Sequence, residues 1–260
     1  MRRYLRIWWL LTSAASQIAF QSRFGAVIFL IGKILRFGLF LVFIFIITGR
    51  TKEIAEYSVW QIVFFFATFN LIDALPMFFL REVYRFRIYI VKGTFDYILA
   101  MPISPLFRAL LGGSDILDLT ILLLALFLVG ISFFHIGPIP MENVILYIIL
   151  ICNAMVMALS FHIFVLGMGI LTTTVDNAIM LYRDLTQMGR VPIDVYREPF
   201  RAIFTFVIPI GIMMTFPAKA LMGILSLQFI FISLVTGILL FGVSVWFWRF
   251  ALKRYASASS

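Results

Sequence analysis

"VILYIILICNAMVMALSFHIFVLGMGIL", Val144–Leu171, contains no Asp, Glu, Lys or Arg. Roughly 20 apolar residues suffice to carry a helix across a bilayer, so this stretch reads as a membrane span. A second run, Ala220–Trp248, is equally free of charge. Both runs are continuous rather than alternating, which is not the pattern of a membrane β-barrel. The chain as a whole is 63% hydrophobic and 13% charged, with 30 Phe, whereas a soluble domain carries about 25% charged residues. The fold class is therefore all-α, a single polytopic membrane domain over residues 1–260.

The formal charge of +9 does not indicate a nucleic-acid partner. The basic residues sit at the ends of apolar segments, where they set topology in a lipid bilayer. "MRRYLRIWWLLTSAAS" has an apolar run, Ile7–Leu11, shorter than the core of a signal peptide. Residues 1–24 instead predict an amphipathic interfacial helix, with Arg2, Arg3 and Arg6 toward headgroups and Trp8 and Trp9 at the boundary. Spans follow at Phe29–Thr48, Tyr57–Leu80, Ile116–Phe134 and from Val144 onward. Lys33 and Arg36 in the first are expected to snorkel to one face. Arg2, Arg3, Arg6 and Arg23 lie before span one, and Arg81, Arg85, Arg87, Lys92 and Arg108 between spans two and three. The loops after spans one and three hold far fewer basic residues, which predicts a cytoplasmic N-terminus and a cytoplasmic 81–108 region. The last span, Leu225–Trp248, ends beside Arg249, Lys253 and Arg254, on the cytoplasmic side.

The fifth crossing has two readings. Hydropathy favours Ala202–Met222, although Pro209, Gly211, Pro217 and Lys219 interrupt it. The alternative takes Ile170–Val191 and makes Phe200–Met222 a broken pair that dips in and out of one face, which membranes tolerate where protein covers the backbone.

Bond chemistry finds no support. There is no G-x-x-x-x-G-K-[ST] phosphate loop, and "GGSD" at Gly112–Asp115 is not a nucleophile elbow. His135 and His162 are far apart, and the lone Cys152 reads as a small buried hydrophobe. The chain is expected to be no enzyme and to bind no metal or cofactor of its own. Polar groups at membrane depth are costly, so Asn70, Asp73, Thr173, Asp176, Asn177, Arg183 and Asp184 are either interhelical glue or the lining of a translocation route. Asp176 and Asp184 are expected to face the bundle interior, paired with Arg183 or a neighbouring span.

Between spans two and three, "KGTFDYILAM" predicts a short helix around Thr94–Leu99, ended by Pro102, with Phe95 and Leu99 one turn apart as apolar anchors. A short stiff element hung between two spans suits the transmission of force from a soluble partner. "GTFDYILAMPISPLF" (93–107) together with "GRVPIDVYREPFRAIFTFVIPIGIMMTFPAKALMG" (189–223) resembles the six-span permeases of type-2 ABC transporters, a likeness that covers nearly the whole chain. The resemblance implies that Gly93, Thr94, Phe95, Asp96, Tyr97, Leu99, Pro102, Ser104 and Pro105, within a region 91–110, form the coupling element that docks on an ATPase. It implies that Gly189, Pro192, Pro199, Pro209 and Pro217 belong to an outer re-entrant segment, 192–223, and so favours Ile170–Val191 as span five. Arg183, Arg190, Arg197 and Arg201 then lie toward the outside, against the plain charge count. It further implies the membrane subunit of an exporter in the bacterial inner membrane, with both termini cytoplasmic. A second permease chain, identical or related, would pair with it, and a separate cytosolic ATPase would hold ATP and Mg. The alternative is an ion-coupled secondary transporter or channel without an ATPase, using Asp73 and Asp176.

Overall fold

The computed structural model describes residues 2–51, 55–172 and 175–256, and among these there is no β-strand. Thr173 lies outside the described residues. A first helix, α1 (Arg2–Gln21), leads into α2 (Arg23–Thr51) and α3 (Val59–Phe79). A cap of short pieces follows: a tight turn Arg81–Arg85, α4 (Phe86–Val91), α5 (Phe95–Ala100) and α6 (Pro105–Leu110). Then come α7 (Leu119–Ile136), α8 (Met141–Thr172) and α9 (Val175–Gln187). A bent segment contains α10 (Phe200–Ala202, continued by a π-helical turn to Val207) and α11 (Phe216–Leu221, preceded by a π-helical turn from Gly211). The long α12 (Leu227–Lys253) closes the described chain. Among the described residues five helical stretches, α2, α3, Ile116–Ile136, α8 and α12, are long and apolar enough to cross a membrane, or six if the bent pair counts as one.

Helix α3 is the axis of the bundle. Ser58 starts it with a reciprocal cap: its hydroxyl accepts from the Gln61 amide, and the Gln61 side chain accepts from the Ser58 amide at 2.8 Å. That arrangement satisfies two of the amides a helix start leaves open. Phe64, Phe66, Phe69 and Ile72 along it are fully buried, against α2, α7, α8 and the bent segment.

The largest helix-to-helix contact is α8 with α12. Small residues admit it, as is usual where lipid gives no hydrophobic drive between helices. Asn153 of α8 donates to the Ser233 carbonyl (2.9 Å) and hydroxyl (3.1 Å) of α12, and Gly237 passes directly over its side chain. A methyl group at Gly237 would stand 2.0 Å from Asn153 Oδ1. Gly237→Ala should therefore lower the melting temperature of the purified protein, with overpacking costing about 1–3 kcal/mol. Adding Asn153→Ala should recover part of the loss; no recovery would mean that the clash is not the cause.

The residues after α8 run back along α3. At one end, Asp176 pairs with Arg87 of α4 (2.7 Å), just past the C-terminal end of α3. At the other, Asp194 accepts from the hydroxyl of Tyr57 (2.9 Å), just before the N-terminal end of α3. The bent segment begins and ends on that same carboxylate: Arg201 and Lys219 each reach Asp194 at 2.7 Å. Between them the pieces Phe200–Val207 and Gly211–Leu221 meet at 81°, and Ile210, Ile212 and Met213 are buried against Phe69, Ile72 and Met157.

Side chains read as facing lipid or headgroups also have partners within the protein: Lys33 pairs with Asp118, the exposed Arg36 donates to Gln187 (2.9 Å), Trp8 donates to the Ser114 hydroxyl (3.1 Å) and the exposed Arg3 to the Pro102 carbonyl (3.1 Å). One expectation needs correction. Cys152 is exposed on the outward side of α8, since Leu150, Asn153 and Ala154 take the inward positions.

Candidate functional site

The cap formed by residues 81–110 sits under the C-terminal ends of α3, α8 and α12. Phe86, Ile90, Phe95 and Ile98 point up from it into one apolar cluster with Leu166, Ile170, Trp248 and Ala251. Gly93 has φ +68, a left-handed conformation that glycine adopts without strain, and it turns the chain from α4 into α5. Thr94 precedes α5, and Ser104 starts α6, its hydroxyl accepting from the Phe107 amide (3.4 Å), with Pro105 in the first turn. Pro102 lies in the exposed link between the two helices.

Phe95 is not an exposed anchor. Its ring is fully buried, with centroids 5.2 Å from both Phe86 and Tyr255 and 6.5 Å from Trp248. The reason is helical spacing. Phe95 and Ile98 share the face that meets the bundle, which turns Tyr97 (73% exposed), Leu99 (37%) and Met101 (42%) outward. Asp96 lies beside the Tyr255 hydroxyl, which burial and then the hydrogen bond and charge of Asp96 push up to about 12.

A residue missed in the sequence closes the cap. Glu82 is buried and accepts from Arg108 (2.8 Å), from Arg85 (3.4 Å) and from the Tyr89 hydroxyl. Burial and then Glu82 hold that hydroxyl above its ordinary range. Gly112 leaves room for this cluster, since a methyl there would overlap Arg108 and Glu82.

The second feature is a crevice of about 380 Å³ between α2, α3 and α9. Asn70 and Asp73 line it from α3, and Arg183, Gln187 and Arg190 line it from α9 and the turn beyond. Lys33 and Arg36 close it from α2, with Arg81 and Asp118 at one end. Asn70 spends its amide on the Phe66 carbonyl (2.7 Å). Asp73 shares the crevice with Arg183, Arg190 and Arg36. Of the predicted polar set, Asn70, Asp73 and Arg183 thus come together. Asp176, half exposed, is turned out to Arg87, while Asn177 and Asp184 are exposed on α9. Val175 and Ile179 take the inward face of that helix, so their neighbours at 176, 177 and 184 cannot. Lys33, Arg36, Gln187 and Arg190 were not singled out as site residues; charges placed mid-run in an apolar helix were the signal.

In the predicted outer block, Gly189 lets the chain pass against Met214 and Ile210. Pro192 is buried, and its carbonyl accepts from the Val195 amide (3.0 Å). Pro199 follows a cis bond, Pro209 lies at the bend and Pro217 in the first turn of α11. Among the described residues no group of His, Cys, Asp or Glu could hold a metal ion.

Comparison with known families gives a match over residues 34–259 to the family described as ABC-2 family transporter protein. None of the curated proteins compared matches the chain. The matched span takes in every crossing helix from most of α2 onward, the cap and the bent segment, and the chain belongs to the ABC-2 family of transporter proteins as a multi-pass membrane permease.

Proposed function

We propose that this permease is the membrane subunit of an ATP-driven exporter, working as a pair of permease chains, identical or related, on two copies of a separate cytosolic ATPase. ATP and Mg belong to that partner; this chain performs no bond chemistry. One observation carries the reading: α5 presents Tyr97, Leu99 and Met101 outward while Phe95 and Ile98 root the same six residues in the ends of α8 and α12. A push on the tip is thereby delivered to the spans through close-packed side chains, which transmit displacement with little loss. Closure of the ATPase pair on ATP moves the cap, and the bundle alternates between inward and outward access.

On this reading the cap and both ends of the chain face the cytoplasm across a bacterial inner membrane, and the basic residues around the cap support that side. The fifth crossing, expected at Ile170–Val191, then falls to α9 and the turns after it, since Ile170–Thr172 belong to α8; the bent segment is a re-entrant pair on the outer face, a reading supported by the closure of Arg201 and Lys219 on one carboxylate. Two tests apply. Benzoylphenylalanine at position 97 should crosslink in cells to a polypeptide that also photolabels with azido-ATP, whereas the same residue at Phe134, exposed at the opposite end of the bundle, should not. Failure to capture a nucleotide-binding chain from position 97 would remove the docking role. A Val195→Cys variant with Cys152→Ser should react with an impermeant maleimide in intact cells. Reaction only after permeabilisation would place that turn inside and return Ala202–Met222 as the fifth span.

A further inference from the structure

The crevice between α2, α3 and α9 has an excess of positive donors, and we infer that it is a binding site for an anionic amphiphile, a phosphate or carboxylate head on an apolar tail. Lys33 is matched by Asp118, and Arg81 by Asp115 (3.4 Å). Arg36, Arg183 and Arg190 remain, and the carboxylates among the described lining residues are Asp73 and Asp118, whose Oδ2 is itself buried without a donor. Arg36 and Arg190 both donate to the same oxygen, Gln187 Oε1. The Nε of Arg190 is buried without an acceptor. Two guanidinium groups crowded on one amide oxygen is an arrangement short of acceptors, and a tetrahedral phosphate or a carboxylate supplies them in the forked geometry guanidinium prefers. A cation would meet the opposite field.

The tail has a place of its own. A shallow apolar groove, open to the outside of α2, adjoins the crevice and shares Gly32, Arg36 and Arg190 with it. Leu35, Leu39, Phe40 and Phe43 of α2 make up the rest of its lining, and Leu35, Leu39 and Phe43 are exposed there. The two arginines thus stand at the border between the polar crevice and an open apolar face, and a head bound by them leaves its chain along α2.

That the ligand is cargo rests on the exporter reading; that it binds does not. The test uses the purified full chain in maltoside detergent, without ATPase or nucleotide, and radiolabelled dodecyl phosphate detected by scintillation proximity. Failure here falls on the ligand assignment, whereas failure to find an ATPase falls on the exporter. Saturable retention is expected, displaced by dodecyl phosphate, about tenfold less well by octyl phosphate, and not by dodecyltrimethylammonium. Arg36→Gln and Arg190→Gln should each weaken retention about tenfold, the loss of one charge-assisted pair. Equal displacement by the ammonium amphiphile would overturn the inference, as would retention within twofold of wild type in both variants. Inorganic phosphate competing as well as dodecyl phosphate would overturn the amphiphile and leave a free-anion site. Should the variants not stay monodisperse, the wild-type competition series decides.

Discussion

Glu82→Ala should remove a large part of the protein's stability. The carboxylate is buried and is the shared acceptor of Arg108, Arg85 and Tyr89. Its removal leaves the Arg108 guanidinium, itself mostly covered, with no counter-charge. Breaking a buried pair from one side costs about 3–5 kcal/mol, against a total stability of about 5–15 kcal/mol for a typical protein. Size-exclusion profiles after graded heating should show early aggregation. Replacing both partners, Glu82→Leu with Arg108→Met, should recover much of the loss, because two apolar side chains leave no orphaned charge. If Glu82→Ala melts with wild type, the cluster does not hold the cap together.

Phe95→Ala should act on folding before it acts on docking. The ring is enclosed by Phe86, Trp248 and Tyr255, and emptying such a site costs about 3–5 kcal/mol. Tyr97→Ala, two residues away, removes a side chain that is mostly in solvent and should leave the melting temperature within a degree or two. The pair separates two roles within one turn of helix: a root that holds the cap to the bundle and a tip proposed to meet the ATPase. Equal thermal stability of the two variants would contradict that division.

The spans were readable because lipid demands long charge-free runs, and such runs leave no doubt about a helix. The breaks at Pro209 and Pro217 likewise announced a bent segment. What the sequence hid was orientation. Phe95 and Ile98 are apolar, but so are Tyr97 and Leu99, and helical spacing alone does not say which pair faces inward. Glu82 carries no local signal of its role, since its partner Arg108 lies 26 residues on. Lys33 and Arg36 looked like snorkelling side chains, since Asp118 and Gln187 come from remote segments. Of the four arginines at odds with the plain charge count, Arg201 is paired with Asp194, Arg183 and Arg190 line the crevice, and Arg197 is exposed.

The account stands on an ATPase seated at the exposed end of α5. The direct measurement is Mg-ATP hydrolysis by the tagged full-length permease, purified in mild detergent from its native membranes with whatever it retains, beside a Tyr97→Ala, Leu99→Ala, Met101→Ala variant that melts like wild type. Buried aromatic and apolar anchors dominate interfaces of this kind, at about 2 kcal/mol or more for the strongest, so losing three should strip most of the partner. The account predicts vanadate-sensitive hydrolysis that co-elutes with the wild-type protein and falls at least tenfold in the variant. Wild-type preparations that hydrolyse no ATP, or a variant that retains all of the activity, would contradict it.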